Sequence, residues 1–211
     1  MEIEIQVKEA ALRGILSIPE GASGIILFAH GSGSSRLSPR NQFVAHVLEE
    51  KNLGILLFDL LTHEEEKVDL VTSEIRFDID HLAKRLVETT DWVLAQEKLK
   101  SLKVGYFGSS TGAAAALKAA AQKPKEVYAV VSRGGRPDLA DEALQKVESP
   151  TLLIVGGDDT EVIELNKTAL EKLQCEKKLE IVKGATHLFE EPGTLEEVAQ
   201  KAADWFSRHL G

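Results

Sequence analysis

Short apolar runs alternate along the chain with longer stretches in which apolar residues recur every three or four positions. In residues 2–8, Ile3, Ile5 and Val7 share one side, with Glu2, Glu4, Gln6 and Lys8 on the other. Such period-two alternation predicts a half-buried strand. Residues 11–18 read as its antiparallel partner, ended by Pro19 and Gly21. From residue 25 the strands change character. The runs 25–29, 54–58, 103–107, 127–131, 151–155 and 178–182 are short and mostly apolar on both faces, which suits parallel strands covered on two sides. Helical periodicity fills the intervals at about 39–51, 74–98, 111–123, 138–147, 161–173 and 194–209. Ser38-Pro39 predicts a cap followed by a first turn, and Thr194 with Glu197 predicts a capping box. The last helix carries Val198, Ala202, Trp205 and Phe206 on one stripe. The longest irregular stretch is 59–73. The expectation is an α/β, doubly wound, mostly parallel sheet with helices on both faces and an antiparallel start, forming one domain over 1–211. Ligands on such sheets sit at the carboxyl ends of the strands, so chemistry is sought there.

Composition narrows the partners. The chain holds 25 basic and 34 acidic residues, a net charge of −9, which argues against nucleic acid because phosphate neutralisation needs a basic surface. No apolar run approaches the roughly 18 residues of a membrane span, and the first residues lack the basic and apolar segments of a secretory signal. The single cysteine, Cys175, excludes an intrachain disulfide and reads as partly buried packing. A cytoplasmic protein acting on a small molecule, with no nucleic-acid or membrane partner, is the expectation.

The strand at 103–107 runs into Gly108-Ser109-Ser110-Thr111-Gly112 and then an alanine-rich helix. A strand that turns this sharply into a helix forces strained angles on the central residue and needs small flanking residues. It holds the central hydroxyl at the tip, over a helix N-terminus that favours negative charge. Ser110 is therefore the candidate nucleophile. A serine hydroxyl needs a base. His46 and His81 fall in helical stretches, His63 lies beside Glu64, Glu65 and Glu66, and His209 sits in the last helical turn. His187, after the strand at 178–182 and a Gly184-Ala185-Thr186 turn, is at the right edge and is the candidate base. An orienting carboxylate can come from Asp158 or Asp159, after the strand at 151–155, and spacing does not choose between them. The chain order of nucleophile, acid and base is that of an α/β-hydrolase sheet. The loop 30–35 (HGSGSS) offers backbone donors, so the N–H groups of Ser32 and Thr111 are assigned to an oxyanion hole, while His30 is expected to bond nearby backbone. Arg36 and Arg40 follow that loop, and Arg133 and Arg136 follow the strand at 127–131. One or more of the four are expected to meet an anionic substrate group, the alternative being that Arg133 and Arg136 pair with Asp138 or Asp141 and order the loop. No metal-binding spacing is present among the six histidines, and no cofactor is expected.

The HGSGSS loop, the GSSTG turn, the stretch LLIVGGDDTEVIELN and the ending GATHLFEEPGTLEEV together resemble the α/β-hydrolase superfamily, and within it the dienelactone-hydrolase-like group, over about residues 10–209. The resemblance implies an α/β-hydrolase fold. It places the acid of the group's Gly-Gly-x-Asp-x-x-Val pattern on Asp159, and it supports Ser110 and His187 in their roles. Dienelactone hydrolases carry cysteine at the nucleophile, where this chain has Ser110, which turns the expected substrate from a lactone to an ordinary carboxylic ester. Between the elbow helix and the acid the chain has room for one strand and one short helix only, so no large lid is expected and the site should be open to small or soluble esters.

Overall fold

The computed structural model describes residues 1–211. Its strands are β1 (Glu2–Gln6), β2 (Ala11–Ser17), β3 (Gly24–Ala29), β4 (Gly54–Phe58), β5 (Lys103–Ser109), β6 (Val127–Arg133), β7 (Thr151–Gly156) and β8 (Lys177–Val182). They form one sheet in the order β1-β2-β4-β3-β5-β6-β7-β8. The first two pairings are antiparallel and the rest parallel. The six helices are α1 (Pro39–Glu50), α2 (His63–Thr72), α3 (Ile79–Ala95), α4 (Thr111–Gln122), α5 (Thr160–Lys172) and α6 (Thr194–Leu210). The doubly wound, mostly parallel sheet expected from the apolar runs is present.

The central strands are buried on both faces because alternate residues serve two cores. In β3, Ile25, Leu27 and Ala29 pack toward one core and Ile26 and Phe28 toward the other. Helices α1 and α6 cover one face, while α3 and α4 lie on the opposite one. Six buried alanines in α4 (Ala113, Ala114, Ala115, Ala116, Ala119 and Ala120) let that helix lie close against the sheet. The chain leaves β3 for β4 on one side and then crosses to β5 on the other. Strand order therefore reverses about β3, and a crevice opens at the carboxyl ends of β3 and β5. Those ends carry the HGSGSS and GSSTG loops. No lid domain interrupts the chain between α4 and β7.

Four local expectations are corrected. The stretch 59–73 contains a regular helix, α2, started by a capping box in which Thr62 Oγ1 accepts from the Glu65 N–H at 3.1 Å and Glu65 accepts from the Thr62 N–H at 2.7 Å. The helix expected over 74–98 is a 3₁₀ turn at Ile75–Phe77 followed by α3, whose cap Asp78 accepts from the His81 N–H. The segment 138–147 is 3₁₀ in two pieces over Pro137–Lys146, broken where Asp141 takes φ 48°. The capping box expected at Thr194 does not form either. Gly193 in the left-handed region precedes the helix, and the Thr194 hydroxyl donates to the Glu191 carbonyl at 2.7 Å.

Candidate active site

Ser110 sits between the end of β5 and the start of α4 at φ 50°, ψ −121°, a strained conformation for a residue with a side chain. Close packing holds it there. A Cβ on Gly112 would run into the carbonyl oxygens of Ala29 and His30, and one on Gly108 into the backbone of Ala113. The Ser110 N–H donates to the Arg133 carbonyl at 3.2 Å, and the Ser110 carbonyl accepts from the Arg136 N–H at 3.0 Å. Its hydroxyl neither caps α4 nor enters any other hydrogen bond. The N–H of Thr111 opens α4, where no residue one turn earlier in the helix can accept it, and no turn bond uses it.

His187 lies on the loop between β8 and α6. That loop is braced where Thr186 donates through its hydroxyl (2.6 Å) and its N–H (3.1 Å) to the two Glu191 carboxylate oxygens. These bonds hold the exposed Glu191 carboxyl below the usual carboxylate range. The end of β7 reaches the same loop. The Gly157 N–H donates to Val182 and the Asp158 N–H to Ala185, and a Cβ on Gly156 would strike the Ala185 carbonyl. The two acids then separate. Asp158 points to solvent, whereas Asp159 Oδ2 lies 2.6 Å from His187 Nδ1 with its side chain 16% exposed. Geometry thus brings Asp159, not Asp158, to the imidazole.

Ser110 and His187 share Gly134 as a neighbour and make no hydrogen bond to each other. Gly134, at φ 51° just beyond β6, lies between the elbow and the His187 loop. A Cβ there would come 3.1 Å from the His187 carbonyl and 3.6 Å from its ring Cε1. The Ser110 hydroxyl makes no hydrogen bond to the imidazole. Serine–base contacts of this kind are commonly long without substrate and tighten when it binds. Nothing in the spacing of the sequence singled out Gly134 or Glu191, because their roles depend on which loops meet.

On the other side of the serine, Gly31 packs against Ser110, and the Ser32 N–H donates to Thr111 Oγ1 at 3.0 Å. That hydroxyl would have to release Ser32 before its N–H could serve an oxyanion. His30 is buried and clamps the ends of β3 and β4. Its Nδ1 faces the Gly31 carbonyl at 3.0 Å, and its Nε2 accepts from the Leu60 N–H at 3.0 Å. Burial pushes its pKa below the usual histidine value. The arginines are sorted by their partners. Arg36 donates to Asp59 at 2.6 Å, Arg40 to Glu190 at 3.2 Å, and Arg136 to both oxygens of Asp138 at 2.9 and 2.8 Å. Arg133 has no carboxylate partner. A small pocket of about 70 Å³ extends from the Ser32–Ser35 loop to α2, flanked by Leu60, Leu61 and Leu70.

The reversed strand order, the strained elbow and an acid–imidazole pair on neighbouring strand ends define an α/β-hydrolase. The chain belongs to the dienelactone hydrolase family, whose sequence model matches residues 59–210. A dienelactone hydrolase from Anabaena variabilis superimposes with a TM-score of 0.99 at 58% identity, covering 100% of this chain and 98% of that one. A lidless α/β serine hydrolase from Xanthomonas campestris shares the fold, with a TM-score of 0.78 at 21% identity over 99% of this chain and 94% of its own. A Mycobacterium tuberculosis protein provisionally named a phosphoribosyl transferase is 54% identical over 209 residues. The match covers 99% of this chain but only 46% of that relative, so this chain spans about half its length. No helix is long and apolar enough to cross a membrane.

Proposed function

We propose that the protein is a serine hydrolase of small carboxylic esters, working through an acyl-enzyme on Ser110. The observation that carries this reading is the 2.6 Å contact between Asp159 and His187 beside a strained serine whose hydroxyl is free. His187 takes the Ser110 proton as Oγ attacks the ester carbonyl carbon, and Asp159 fixes the imidazole and stabilises its charged form. The Thr111 N–H, with Ser32 once its bond to Thr111 Oγ1 is released, receives the developing oxyanion. Collapse of the tetrahedral intermediate breaks the bond to the alcohol oxygen, which leaves with the proton from His187. Water, deprotonated by the same imidazole, then releases the carboxylic acid and restores the serine. The serine at the elbow favours ordinary esters, and the absence of a lid favours short or soluble acyl groups. The transferase name belongs to a relative more than twice this length, whereas the elbow and the acid–imidazole pair support hydrolysis.

A fluorophosphonate probe tests the assignment. Wild-type protein is expected to be labelled and Ser110→Ala is not, with turnover of a short 4-nitrophenyl ester falling by roughly 10⁴ to 10⁶. An unlabelled wild type that also fails to cleave esters, thioesters and lactones overturns it.

A further inference from the structure

Arg133 is the arginine at the carboxyl edge left without a counter-ion. Its residue is 8% exposed and its guanidinium makes no hydrogen bond. Nη1 is buried with no partner, and Cζ stands 5.9 Å from the centre of the Phe107 ring. Burial, aided by the charge of Arg40, pushes its pKa down to about 10, so the group is still a cation near neutral pH. A buried charge left unpaired is strongly unfavourable, so its persistence asks for a ligand.

The surroundings say where that ligand would lie. Arg133 is in register with Ser109, whose hydroxyl donates to Asn41 Oδ1 at 3.1 Å in the first turn of α1. Arg40 precedes Asn41, and its Nε is likewise buried and unpartnered. The exposed Glu190 that pairs with Arg40 belongs to the loop carrying His187. The Arg133 carbonyl accepts from the Ser110 N–H, so the free guanidinium extends from the backbone next to the nucleophile. Two cations from different elements thus lie close enough for Arg40 to act on Arg133, and the first turn of α1, where Arg40 sits, has no acidic residue. Glu190 can swing into solvent. A tetrahedral dianion presents acceptors in several directions and two charges to share, whereas a carboxylate offers one charge and two coplanar acceptors.

We propose that Arg133, with Arg40 beside it, anchors a phosphate-type oxyanion carried by the ester substrate. The inference rests on the serine-hydrolase reading for its turnover test and on direct binding for an independent one. Three matched 4-nitrophenyl esters serve as substrates: butyrate (neutral), succinate (carboxylate) and 3-phosphonopropionate (phosphonate). Wild type is expected to show at least tenfold higher kcat/KM for the phosphonate than for the neutral ester. In Arg133→Gln that ratio should fall tenfold or more, carried by KM, with partial recovery in Arg133→Lys. Isothermal titration with inorganic phosphate should give binding in wild type that weakens at least tenfold in Arg133→Gln. If Arg133→Gln does not fold, Arg133→Lys and Arg40→Gln provide the same comparison. Equal rates on the three esters, or a preference for succinate over the phosphonate, overturn the proposal. If no ester is turned over and no fluorophosphonate labelling occurs, the hydrolase reading fails. The anion site then stands or falls by the phosphate titration alone.

Discussion

Asp158 and Asp159 are adjacent in sequence and identical in chemistry, yet only one reaches His187. The backbone decides between them: the Asp158 N–H is spent on Ala185 and its side chain leaves the site, while Asp159 starts α5 facing the imidazole. Asp159→Asn is therefore expected to lower kcat roughly 10⁴-fold by leaving the imidazole in the wrong tautomer. Asp158→Asn should change it less than threefold. Ester kinetics on the two variants check this, and equal losses would mean that either acid can reach the base. Residue types and spacing alone leave the choice open, the family pattern points to Asp159, and the direction of two neighbouring side chains at a turn makes it. Ser110, by contrast, was legible: the glycines around it, the strand before and the helix after all point to one tight turn. Among the arginines, Arg36, Arg40 and Arg136 are each paired with a carboxylate and Arg133 is not, a distinction that only the positions of Asp59, Glu190 and Asp138 make.

At the scale of elements, α2 shows how a helix hides from a search for apolar stripes. Asp69 is its one buried residue, gripped by the Arg76 guanidinium at 2.6 Å, while Val68, Leu70 and Val71 face outward. Burial works to raise the Asp69 pKa, but hydrogen bonds and charge from Arg76 outweigh it and hold the carboxyl below its usual value. The helix therefore stands on its cap and this ion pair more than on packing. Thr62→Ala should remove the cap bond at a cost of about 1 kcal/mol. Amide exchange is expected to accelerate along 63–72 while β3 and β5 keep their protection. Unchanged exchange in α2 would show that the cap does not hold it. In the sequence, three consecutive glutamates beside His63 make the stretch read as an irregular loop, and the Thr62–Glu65 cap emerges only in the structure. Thr194 and Glu197 presented the same pattern and failed, because Gly193 brings the chain in through the left-handed region and turns the threonine hydroxyl back to Glu191.

For the molecule as a whole, the crevice depends on β3 and β4 ending together, and His30 joins them. Its Nε2 accepts a hydrogen bond from the Leu60 N–H and it is buried, so the folded state holds it neutral. A histidine whose pKa is lower folded than unfolded binds more protons when unfolded. Its contribution is complete above the unfolded value near 6.5 and is lost as pH falls toward the folded one. Stability should thus decline below about pH 6.5 by as much as about 1.4 kcal/mol per pH unit from this group. His30→Gln, which does not titrate and whose side-chain amide oxygen reaches the Nε2 position, should flatten the decline. Denaturant titrations at pH 7.5, 6.0 and 5.0 measure the slope, and identical slopes in both proteins would assign it to other groups.

The order of the strands, the burial of the central ones on both faces and the site of the elbow were determined by the sequence alone. Each is a local property, set by the period of apolar residues and by glycine at a turn. Tertiary structure decided that Asp159 rather than Asp158 meets the imidazole, that Thr111 holds the Ser32 N–H, that Glu191 braces the His187 loop with Gly134 packed against it, and that Arg133 lacks a partner. Those facts depend on where side chains from strands far apart in sequence come to lie, and a pairing across the sheet leaves no periodicity in the chain.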